Sequence, residues 1–359
     1  MRILQVIPSL ATGGAEVFVV SLCNSIVKMG HDVTLLTFYP RQKGEFLYER
    51  LDTRVEIVTI GKKFGVDPTL SLRIRKFIKR NGFDVAHFHV NAIAYALIPA
   101  TTYPGCRYIA TIHSDAEKEA SGLHRLVRKF LFGKRLMVPV TISKESQRSF
   151  ADLYHLDSEL IFNGVATDFP SSGEPDTINR FRFTDTTKVF TLVASVGEVK
   201  NQLNAAKAFN SLAKEGYDVV LVLVGRIGDT DYCRQVKAEA SDHVIVYGPY
   251  AKPLELLRDS DFFMLVSIYE GMPLSLLEAF SAGVVPVVTN VGGCRNLVKD
   301  GENGIICSSC EIEDIKIAVI RALSIKDNEK QQMKARLKSE FGRFSIEKCT
   351  EAYLSLYKG

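Results

Sequence analysis

The strongest candidates for chemistry are two glutamates, Glu270 and Glu278, which lie eight residues apart in the second half of the chain. Glu270 precedes a predicted helix and Glu278 lies about one and a half turns into it, so their carboxylates should contact different parts of one ligand. Carboxylates accept hydrogen bonds from hydroxyl groups, which suits a transferred sugar for one glutamate and a ribose for the other. The alternative is an acidic helix start that stabilises the helix dipole and binds no ligand.

The helix that follows Glu270 is also a candidate phosphate site. We predict Pro273 at its first position and Gly283 just past its end, the usual placement of proline and glycine around a helix. The first amides of such a helix are free, and the positive end of the helix dipole lies behind them, an arrangement that suits a diphosphate. The residues that form this approach and helix start are Gly271, Met272, Pro273, Leu274, Ser275 and Leu276.

Three other side chains of the second half could contribute to the same ligand site. Lys200 follows the first strand of that half, where its ammonium could neutralise a leaving diphosphate; a solvated loop lysine is the competing interpretation. Arg226 follows a later strand end and could also contact phosphate. Tyr247 lies in a further strand and is a candidate for the pocket that selects the base or the sugar.

The first half offers a glycine pair and a histidine near predicted strand ends. Gly13 and Gly14 follow the first strand, where glycine would let a phosphate or sugar approach a helix start closely; a tight turn is the alternative. His113 ends a strand and could hydrogen-bond the transferred sugar, although a lone histidine is commonly a satisfied core residue. His87 and His89 alternate on one strand, and we assign them a structural role.

Alternating strands and helices must position these residues. Short apolar runs predict strands at residues 2–7, 33–38, 55–60, 85–90, 107–113, 138–143 and 160–162, then at 189–194, 219–224, 244–247, 262–266 and 284–289. Helices in the intervals indicate parallel sheets covered on both faces, and a Pro-, Gly- and Ser-rich linker over 163–188 separates the halves. We therefore predict two doubly wound Rossmann-like α/β domains with facing ligand crevices, the first ending at residue 165 and the second beginning at residue 166.

The order of these motifs resembles retaining glycosyltransferase family 4, a large family with the GT-B fold of two Rossmann-like domains across a cleft. The Glu270–Glu278 stretch looks like the family's E-x7-E signature, and the resemblance runs from Pro8 to about Ile306. The other matching motifs are Gly13-Gly14, Thr111-Ile112-His113, Ile142-Ser143-Lys144, Asn163-Gly164-Val165, Lys200-Asn201, Leu223-Val224-Gly225, Val246-Tyr247-Gly248, Gly292-Gly293, Asp300-Gly301 and Asn303-Gly304. Two positions depart from the family pattern: Ser195 stands where an arginine is usual, and Ala166 where an acidic residue is common.

The resemblance implies transfer of a hexose-type sugar, with retention, from a UDP- or GDP-linked donor, without a metal ion or other cofactor. It implies that Lys200 holds the donor phosphates, that Glu270 contacts the sugar and that Glu278 contacts the ribose. It also implies that His113 lies beside the reacting carbon. In the family a C-terminal helix crosses back onto the first domain, so the resemblance implies a first domain of residues 1–165 plus the helix at 343–359, and a second domain of residues 166–342. The departure at Ser195 leaves open a non-catalytic partner in polysaccharide assembly that has kept the fold.

The distribution of charge predicts an anionic partner for the first half. Residues 1–165 contain 22 Lys/Arg and 15 Asp/Glu, whereas the whole chain has a formal charge of +4. A basic amphipathic helix over 124–137 could rest on anionic lipid beside a lipid-linked glycan acceptor of surface polysaccharide synthesis; a solvated helix face is the alternative. The residues expected at this membrane or acceptor surface are Arg125, Arg128, Lys129, Lys134 and Arg135.

Composition and missing motifs argue against other classes. No apolar run is long enough to span a bilayer, and seven scattered cysteines suggest reduced thiols, so we expect a cytoplasmic protein peripherally bound to the inner face of the plasma membrane. The first turn lacks the G-x-G-x-x-G of a dinucleotide-dependent oxidoreductase, and the basic residues lack the interleaved aromatics of a nucleic-acid binder. Two D-x-D pairs, residues 229–231 and 259–261, are expected to be structural rather than metal ligands.

Overall fold

The chain divides into two compact units in the computed structural model, which describes residues 1–11, 13–42, 45–63, 65, 67–167 and 177–359. The first unit is Met1–Pro170 together with Phe344–Gly359, and the second is Ser171–Arg343. The centre of the expected linker, residues 168–176, lies outside the described residues.

The first unit is built around a parallel sheet that has seven strands in its described part. The strands are β1 (Arg2–Ile7), β2 (Asp32–Thr37), β3 (Glu56–Thr59), β4 (Val85–His89), β5 (Arg107–Ile112), β6 (Val138–Thr141) and β7 (Glu159–Leu160). Their order is β3-β2-β1-β4-β5-β6-β7, and every residue of the central β4 is buried, as expected for a strand covered on both faces.

Helices alternate with these strands. They are α1 (Gly14–Lys28), α2 (Pro68–Asn81), α3 (Leu97–Thr102), α4 (Ala116–Glu119), α5 (Gly122–Gly133) and α6 (Lys144–Tyr154), with short 3-10 helices at Phe46–Arg50 and Val90–Ala96. Gly30, with φ of 82°, follows α1 and ends it in the left-handed conformation that glycine adopts readily. Asp67 caps α2 by accepting a hydrogen bond from the Thr69 amide, and Pro68 opens that helix.

The second unit repeats this plan with a parallel sheet of six strands among its described residues. The strands are β8 (Lys188–Val193), β9 (Val219–Val224), β10 (Val244–Gly248), β11 (Phe262–Leu265), β12 (Val285–Thr289) and β13 (Ile305–Cys307), in the order β10-β9-β8-β11-β12-β13. The helices are α7 (Gln202–Lys214), α8 (Asp231–Ala238), α9 (Pro253–Arg258), α10 (Leu274–Ala282), α11 (Gly292–Leu297), α12 (Ile312–Leu323) and α13 (Asp327–Phe341). Short 3-10 helices lie at Ile178–Phe181, Glu198–Lys200 and Gly342–Phe344.

The predicted fold class is confirmed, and two elements differ from expectation. Strand β13 was not predicted, because its three residues are too few to show a strand pattern and its register comes from pairing with β12. Helix α5 ends at Gly133, four residues before the predicted end at Met137, and Arg135 takes a left-handed φ of 54°. Lys134 and Arg135 therefore lie beyond the helix rather than on it.

The C-terminal helix, α14 (Ile346–Lys358), packs within the first unit. The Val165 amide donates to the Phe344 carbonyl (2.9 Å), and the Ile346 amide donates to the Val165 carbonyl (3.1 Å). A Cβ atom at Gly164 would lie 2.6 Å from Cys349 Cβ and 2.8 Å from Ile346 Cα. The start of α14 therefore packs against the Asn163-Gly164-Val165 segment, and only glycine fits at position 164.

We expect Gly164→Ala to destabilise the first unit, because the added methyl group must push α14 away. Overpacking of this kind costs about 1–3 kcal/mol, measured as the free energy of unfolding in urea. Gly133→Ala is the matched control, since a Cβ there meets nothing within 4 Å and alanine is the better helix former. Equal stability of the two variants would contradict the proposed packing role of Gly164.

Candidate functional site

A buried carboxylate–ammonium pair lies beyond the strand ends of the second unit. Lys200 Nζ donates to Glu270 Oε1 at 2.7 Å and to Oε2 at 2.9 Å, and Ser267 Oγ donates to Oε1 at 2.6 Å. Glu270 is 5% exposed, whereas 31% of the Lys200 side chain is exposed. A buried carboxylate is costly unless it is paired and hydrogen-bonded, so these three contacts explain how Glu270 remains buried.

Glycines let the backbone close around this pair. A Cβ at Gly292 would overlap the carbonyl oxygen of Glu270, and one at Gly293 would overlap that of Gly271. Gly292 also has a φ of 43°, a backbone conformation that residues other than glycine rarely adopt. The two glycines therefore allow the start of α11 to pack directly on the loop that carries Glu270.

Helix α10 starts one residue later than the sequence suggested. Pro273 is the N-cap rather than the first helical residue, and its carbonyl accepts from the amides of Leu276 (3.2 Å) and Leu277 (3.4 Å). The prediction that the Leu276 amide is free is therefore wrong, because the tightened first turn uses it. Leu274 and Ser275 supply the first two amides of the helix, where no preceding turn provides a carbonyl partner.

The remaining residues around α10 are mostly inaccessible. Met272 and Glu278 are each 6% exposed, and Gly271 is partly buried. Gly283, with φ of 66°, ends the helix as predicted. Glu278 lies on the buried side of α10, so a ribose contact there would require a ligand that enters the protein surface rather than resting on it.

Arg226 and Tyr247 lie at neighbouring strand ends. Gly225, with φ of 154°, leaves no room for a Cβ against the Ala194 carbonyl, and the Arg226 carbonyl accepts from the Val196 amide at 2.9 Å. The Arg226 side chain is exposed. Tyr247 packs in an aromatic cluster, with ring centroids 5.6 Å from Tyr250 and 6.2 Å from Phe181 and the Arg180 guanidinium 5.6 Å from its ring.

His113 lies just past β5 in the first unit, and both its backbone and its ring are hydrogen-bonded. Its amide donates to Glu119 Oε2 at 2.6 Å, and its Nε2 lies 3.0 Å from His89 Nδ1. The Phe18 ring contacts it edge-on, with centroids 5.5 Å apart. Burial, together with the nearby Arg128 charge, lowers the pKa of His113 to about 3, so its imidazole is neutral at physiological pH.

Arg128 belongs to the support of His113 and not to a membrane surface. Its side chain is fully buried, with Nη1 3.0 Å from Glu119 Oε1 and Nη2 donating to the Val90 carbonyl at 2.7 Å. The predicted membrane role of Arg128 is therefore wrong, because the helical spacing of basic residues does not reveal that this position faces the interior of the first unit. Val90 has a φ of 45°, an uncommon conformation for a β-branched residue, and Arg128 holds the carbonyl of that strained residue.

The other predicted basic residues remain at the surface. Arg125 and Lys129 are exposed on α5, and Lys134 and Arg135 are exposed beyond its end. The same helix exposes three apolar side chains, Leu123, Leu126 and Phe130, which are 66%, 65% and 45% exposed.

Gly13 and Gly14 form the start of α1. Gly13 is the N-cap, in extended conformation, and its carbonyl accepts from the Val17 amide at 3.1 Å. A Cβ at Gly13 would overlap the end of the Glu16 side chain, whereas a Cβ at Gly14 would meet nothing within 4 Å. In the unliganded protein a side chain at the first position would only displace the flexible end of Glu16, and neither position has a positive φ, so the fold itself does not require glycine at either one.

The D-x-D pairs are engaged in protein contacts. Asp229 and Asp231 both pair with Arg234, while Thr230 between them caps α8. Asp261 accepts from Arg182 at 2.6 Å and from the Val189 amide at 2.9 Å. Over the part of the chain that the structure describes, no group of three or more His, Cys, Asp or Glu residues is arranged to hold a metal ion.

Sequence reasoning missed the partners of His113. His89 contacts the His113 ring, and Glu119 accepts a hydrogen bond from the His113 amide. The sequence alone predicts a structural role for His89 and no role for Glu119. The signal for His89 was its place at the end of β4, which pairs with β5 and so brings it beside the Thr111-to-His113 segment. Glu119 gave no comparable signal, because its contact depends on the path of the loop after β5.

Two family descriptions match nearly the whole chain. "Glycosyltransferase Family 4" matches residues 12–169, and "Glycosyl transferases group 1" matches residues 174–339. The chain belongs to the group 1/family 4 glycosyltransferases. As a glycosyltransferase of this family it has the two-domain Rossmann-like GT-B fold, and its two sheets correspond to the two matched regions.

Individual relatives are distant in sequence and similar in fold. This glycosyltransferase is 26% identical to a probable sucrose-phosphate synthase of Thermosipho melanesiensis, over 96% of this chain and 90% of that protein. It is 32% identical to the Escherichia coli UDP-Gal:alpha-D-GlcNAc-diphosphoundecaprenol alpha-1,3-galactosyltransferase, over 38% of this chain and 37% of that protein. The solved Anabaena protein HepE in complex with UDP and glucose superposes with a TM-score of 0.79 at 18% identity, covering 100% of both chains.

We expect the free energy of unfolding of this glycosyltransferase to fall as the pH drops below about 6.5. Burial lowers the pKa of His113 to about 3 and holds the pKa values of His87 and His89 well below 6.5. The unfolded chain then binds protons that the folded protein does not, so the stability present above pH 6.5 is lost on acidification. Each histidine contributes up to about 1.4 kcal/mol per pH unit.

Urea unfolding at pH 7.5, 6.5 and 5.5 measures this dependence. His87→Gln should reduce the slope below pH 6.5 by about one proton. A stability that stays constant between pH 7.5 and 5.5 would contradict the neutral state assigned to these histidines.

Proposed function

We propose that this glycosyltransferase transfers a hexose-type sugar, with retention, from a UDP- or GDP-linked donor to a lipid-linked glycan acceptor in bacterial surface polysaccharide synthesis. The observation that carries the proposal is the buried Glu270–Lys200 pair beside the start of α10. The name of the E. coli relative and the UDP and glucose held by the Anabaena protein support the donor and acceptor classes.

The pair suggests an exchange of partners when the donor binds. Lys200 is partly exposed, so an incoming diphosphate can compete with Glu270 for its ammonium group. Glu270 is then free to accept hydrogen bonds from sugar hydroxyls, while Ser267 still donates to it. The first amides of α10 and the ammonium of Lys200 would together stabilise the charge on the leaving diphosphate, without a metal ion or cofactor.

His113 suits the sugar side of such a reaction because its imidazole is neutral. Transfer through an oxocarbenium-like state places positive charge on the sugar ring, and a protonated histidine there would oppose it. A neutral imidazole adds no such repulsion and can still hydrogen-bond a hydroxyl. Glu278 contacts the ribose in this proposal, and Arg226 and Tyr247 are assigned to the donor phosphate and the base or sugar.

Nucleotide binding tests the donor site directly. We expect UDP or GDP, alone or as a sugar conjugate, to raise the melting temperature of the wild-type protein, by an amount that corresponds to about 2.7 kcal/mol at one hundred times the dissociation constant. Glu278→Ala should abolish or weaken the shift because it removes the ribose contact. Glu302→Gln is a matched control, since Glu302 is an exposed glutamate of the same unit that pairs with Arg336.

The outcome also separates the proposal from its alternative. If no nucleotide stabilises the wild-type protein at millimolar concentration, the donor site as assigned is wrong, and a non-catalytic partner in polysaccharide assembly becomes the better explanation. If a nucleotide binds but Glu278→Ala leaves the shift unchanged, the donor site stands and the ribose role of Glu278 falls.

We also propose that the protein contacts an anionic membrane at its cytoplasmic face. The exposed face of α5 supports this contact. Leu123, Leu126 and Phe130 are exposed beside the cations Arg125 and Lys129. Apolar side chains next to basic ones suit an anionic lipid surface, where both burial and charge contribute. No helix within the described ranges is long and apolar enough to cross a bilayer.

We expect the wild-type protein to sediment with vesicles that contain about one third phosphatidylglycerol, and far less with pure phosphatidylcholine, because both cations and apolar groups contribute. The double variant Leu126→Gln/Phe130→Gln should lose most of this binding. Ile317→Gln, at a residue of the second unit that is 54% exposed, controls for the loss of any exposed apolar side chain. Equal sedimentation of the double variant and the control would remove α5 as the membrane surface.

A further inference from the structure

A chain of hydrogen-bonded side chains links His113 to the C-terminal helix inside the first unit. His89 Nδ1 lies 3.0 Å from His113 Nε2, and His89 Nε2 lies 2.7 Å from Gln5 Oε1. Gln5 Nε2 donates to Tyr357 Oη at 3.1 Å, and that oxygen lies 2.7 Å from His87 Nδ1. The last links join His87 Nε2 to Thr111 Oγ1 at 2.7 Å and Thr111 Oγ1 to Tyr353 Oη at 2.9 Å.

The strand register builds the first part of this chain. In β1 and β4 Gln5 is opposite His87, and in β4 and β5 His89 is opposite Thr111. Registered partners and residues two apart on a strand share a face, so these four side chains lie together. All four are fully buried, so each hydrogen bond between them must be satisfied within the protein.

The direction of the hydrogen bonds follows from the orientation of the Gln5 amide, whose oxygen faces His89 and whose nitrogen faces Tyr357. A hydroxyl can rotate and an imidazole can change tautomer, but the Gln5 amide oxygen only accepts and its nitrogen only donates. Because Oε1 faces His89, the Nε2 of His89 carries the proton. His89 is fully buried, and burial lowers its pKa well below 6.5, so it is neutral and its Nδ1 is an acceptor. The Nε2 of His113 must therefore donate to it.

We propose that Gln5 and His89 are positioning residues for His113, which they hold as the Nε2–H tautomer with Nδ1 left as a hydrogen-bond acceptor for a sugar hydroxyl. The acceptor role rests on the proposed function, because it needs a sugar substrate. The tautomer itself is a property of the unliganded protein. Of the residues in this chain of hydrogen bonds, His113 alone is partly exposed, and the others are buried.

Replacing Gln5 should reverse the proton order at His113. In Gln5→Leu the His89 Nε2–H has no acceptor in a buried environment, so the proton is better placed on Nδ1. His89 Nδ1 then donates to His113 Nε2, and His113 carries its proton on Nδ1. The nitrogen offered to a sugar hydroxyl thereby changes from acceptor to donor.

Two-bond proton–nitrogen NMR correlations of protein labelled with 15N-histidine distinguish these tautomers, with the His113 signals assigned through His113→Gln. We expect a protonated Nε2 and a bare Nδ1 for His113 in the wild type and the opposite in Gln5→Leu. Tyr108→Phe is the control, because it too removes a buried hydrogen-bonding group of the first unit, here a hydroxyl that donates to the Pro99 and Tyr103 carbonyls outside this chain. Its His113 tautomer should match the wild type.

Steady-state transfer measured on the same proteins tests the consequence. We expect kcat for Gln5→Leu to fall about 10- to 100-fold, the loss that follows removal of a residue that orients a metal-binding histidine, while the dissociation constant for UDP stays within about twofold. Tyr108→Phe should keep the wild-type kcat. A merely structural role for Gln5 would lower activity through stability without changing the tautomer.

Three results would overturn the proposal: wild-type His113 protonated on Nδ1, an unchanged tautomer in Gln5→Leu, or an inverted tautomer with unchanged kcat. If Gln5→Leu does not fold, the wild-type spectrum still decides the tautomer. Failure of the proposed function looks different: the wild type would show the Nε2–H tautomer yet bind no nucleotide sugar. That result would remove the sugar-hydroxyl role and keep Gln5 and His89 as the residues that orient His113.

Discussion

A carboxylate that leaves water must keep a cation beside it, and this constraint shapes the strand ends in both units. Glu270 pairs with Lys200 at 2.7 Å, and Glu119 pairs with Arg128 at 3.0 Å. Both carboxylates are buried and accept further hydrogen bonds, one from Ser267 and the other from the His113 amide. Removing either cation would leave an uncompensated buried charge, so the loop conformation and the local electrostatics cannot vary independently.

The two pairs differ in whether a ligand could take the place of one partner. Lys200 is a flexible point charge with part of its side chain in solvent, so an anion can approach it without unfolding the loop. Arg128 is fully enclosed, and its planar group contacts both Glu119 and the carbonyl of Val90, whose backbone is strained. If Arg128 exchanged partners, the buried Glu119 carboxylate would lose its cation. The Val90 carbonyl would also lose the hydrogen bond that holds its strained backbone. The first pair is therefore suited to binding, and the second to holding a fixed geometry.

The sequence predicts the elements well and the contacts between them unevenly. Apolar runs of four to six residues were enough to locate most strands, whereas β13, with three, depends on its neighbour for its existence. Helical spacing indicates that α5 is amphipathic, but it does not show which of its basic residues faces the interior. The sequence therefore predicts Arg128 at the surface, whereas it is buried. His89 was overlooked for a related reason: its importance comes from the pairing of β4 with β5, which periodicity along one strand does not reveal. Glu270 and Lys200 could be found from the sequence because each lies shortly after a predicted strand.

Each unit, taken by itself, holds the charge that its part of the proposed reaction would require. Departure of a diphosphate concentrates negative charge on the leaving group while positive charge develops on the sugar, so a cation helps at the first and harms at the second. In the proposed reaction, Lys200 and the start of α10 in the second unit would provide the cationic side. Around His113 in the first unit, the Arg128 charge is balanced by Glu119, and the side chains linked through the His113 ring are neutral: the His89 imidazole and the Gln5 amide. Burial keeps those groups uncharged, so the same desolvation that forces the carboxylates into ion pairs also keeps the imidazole of His113 neutral.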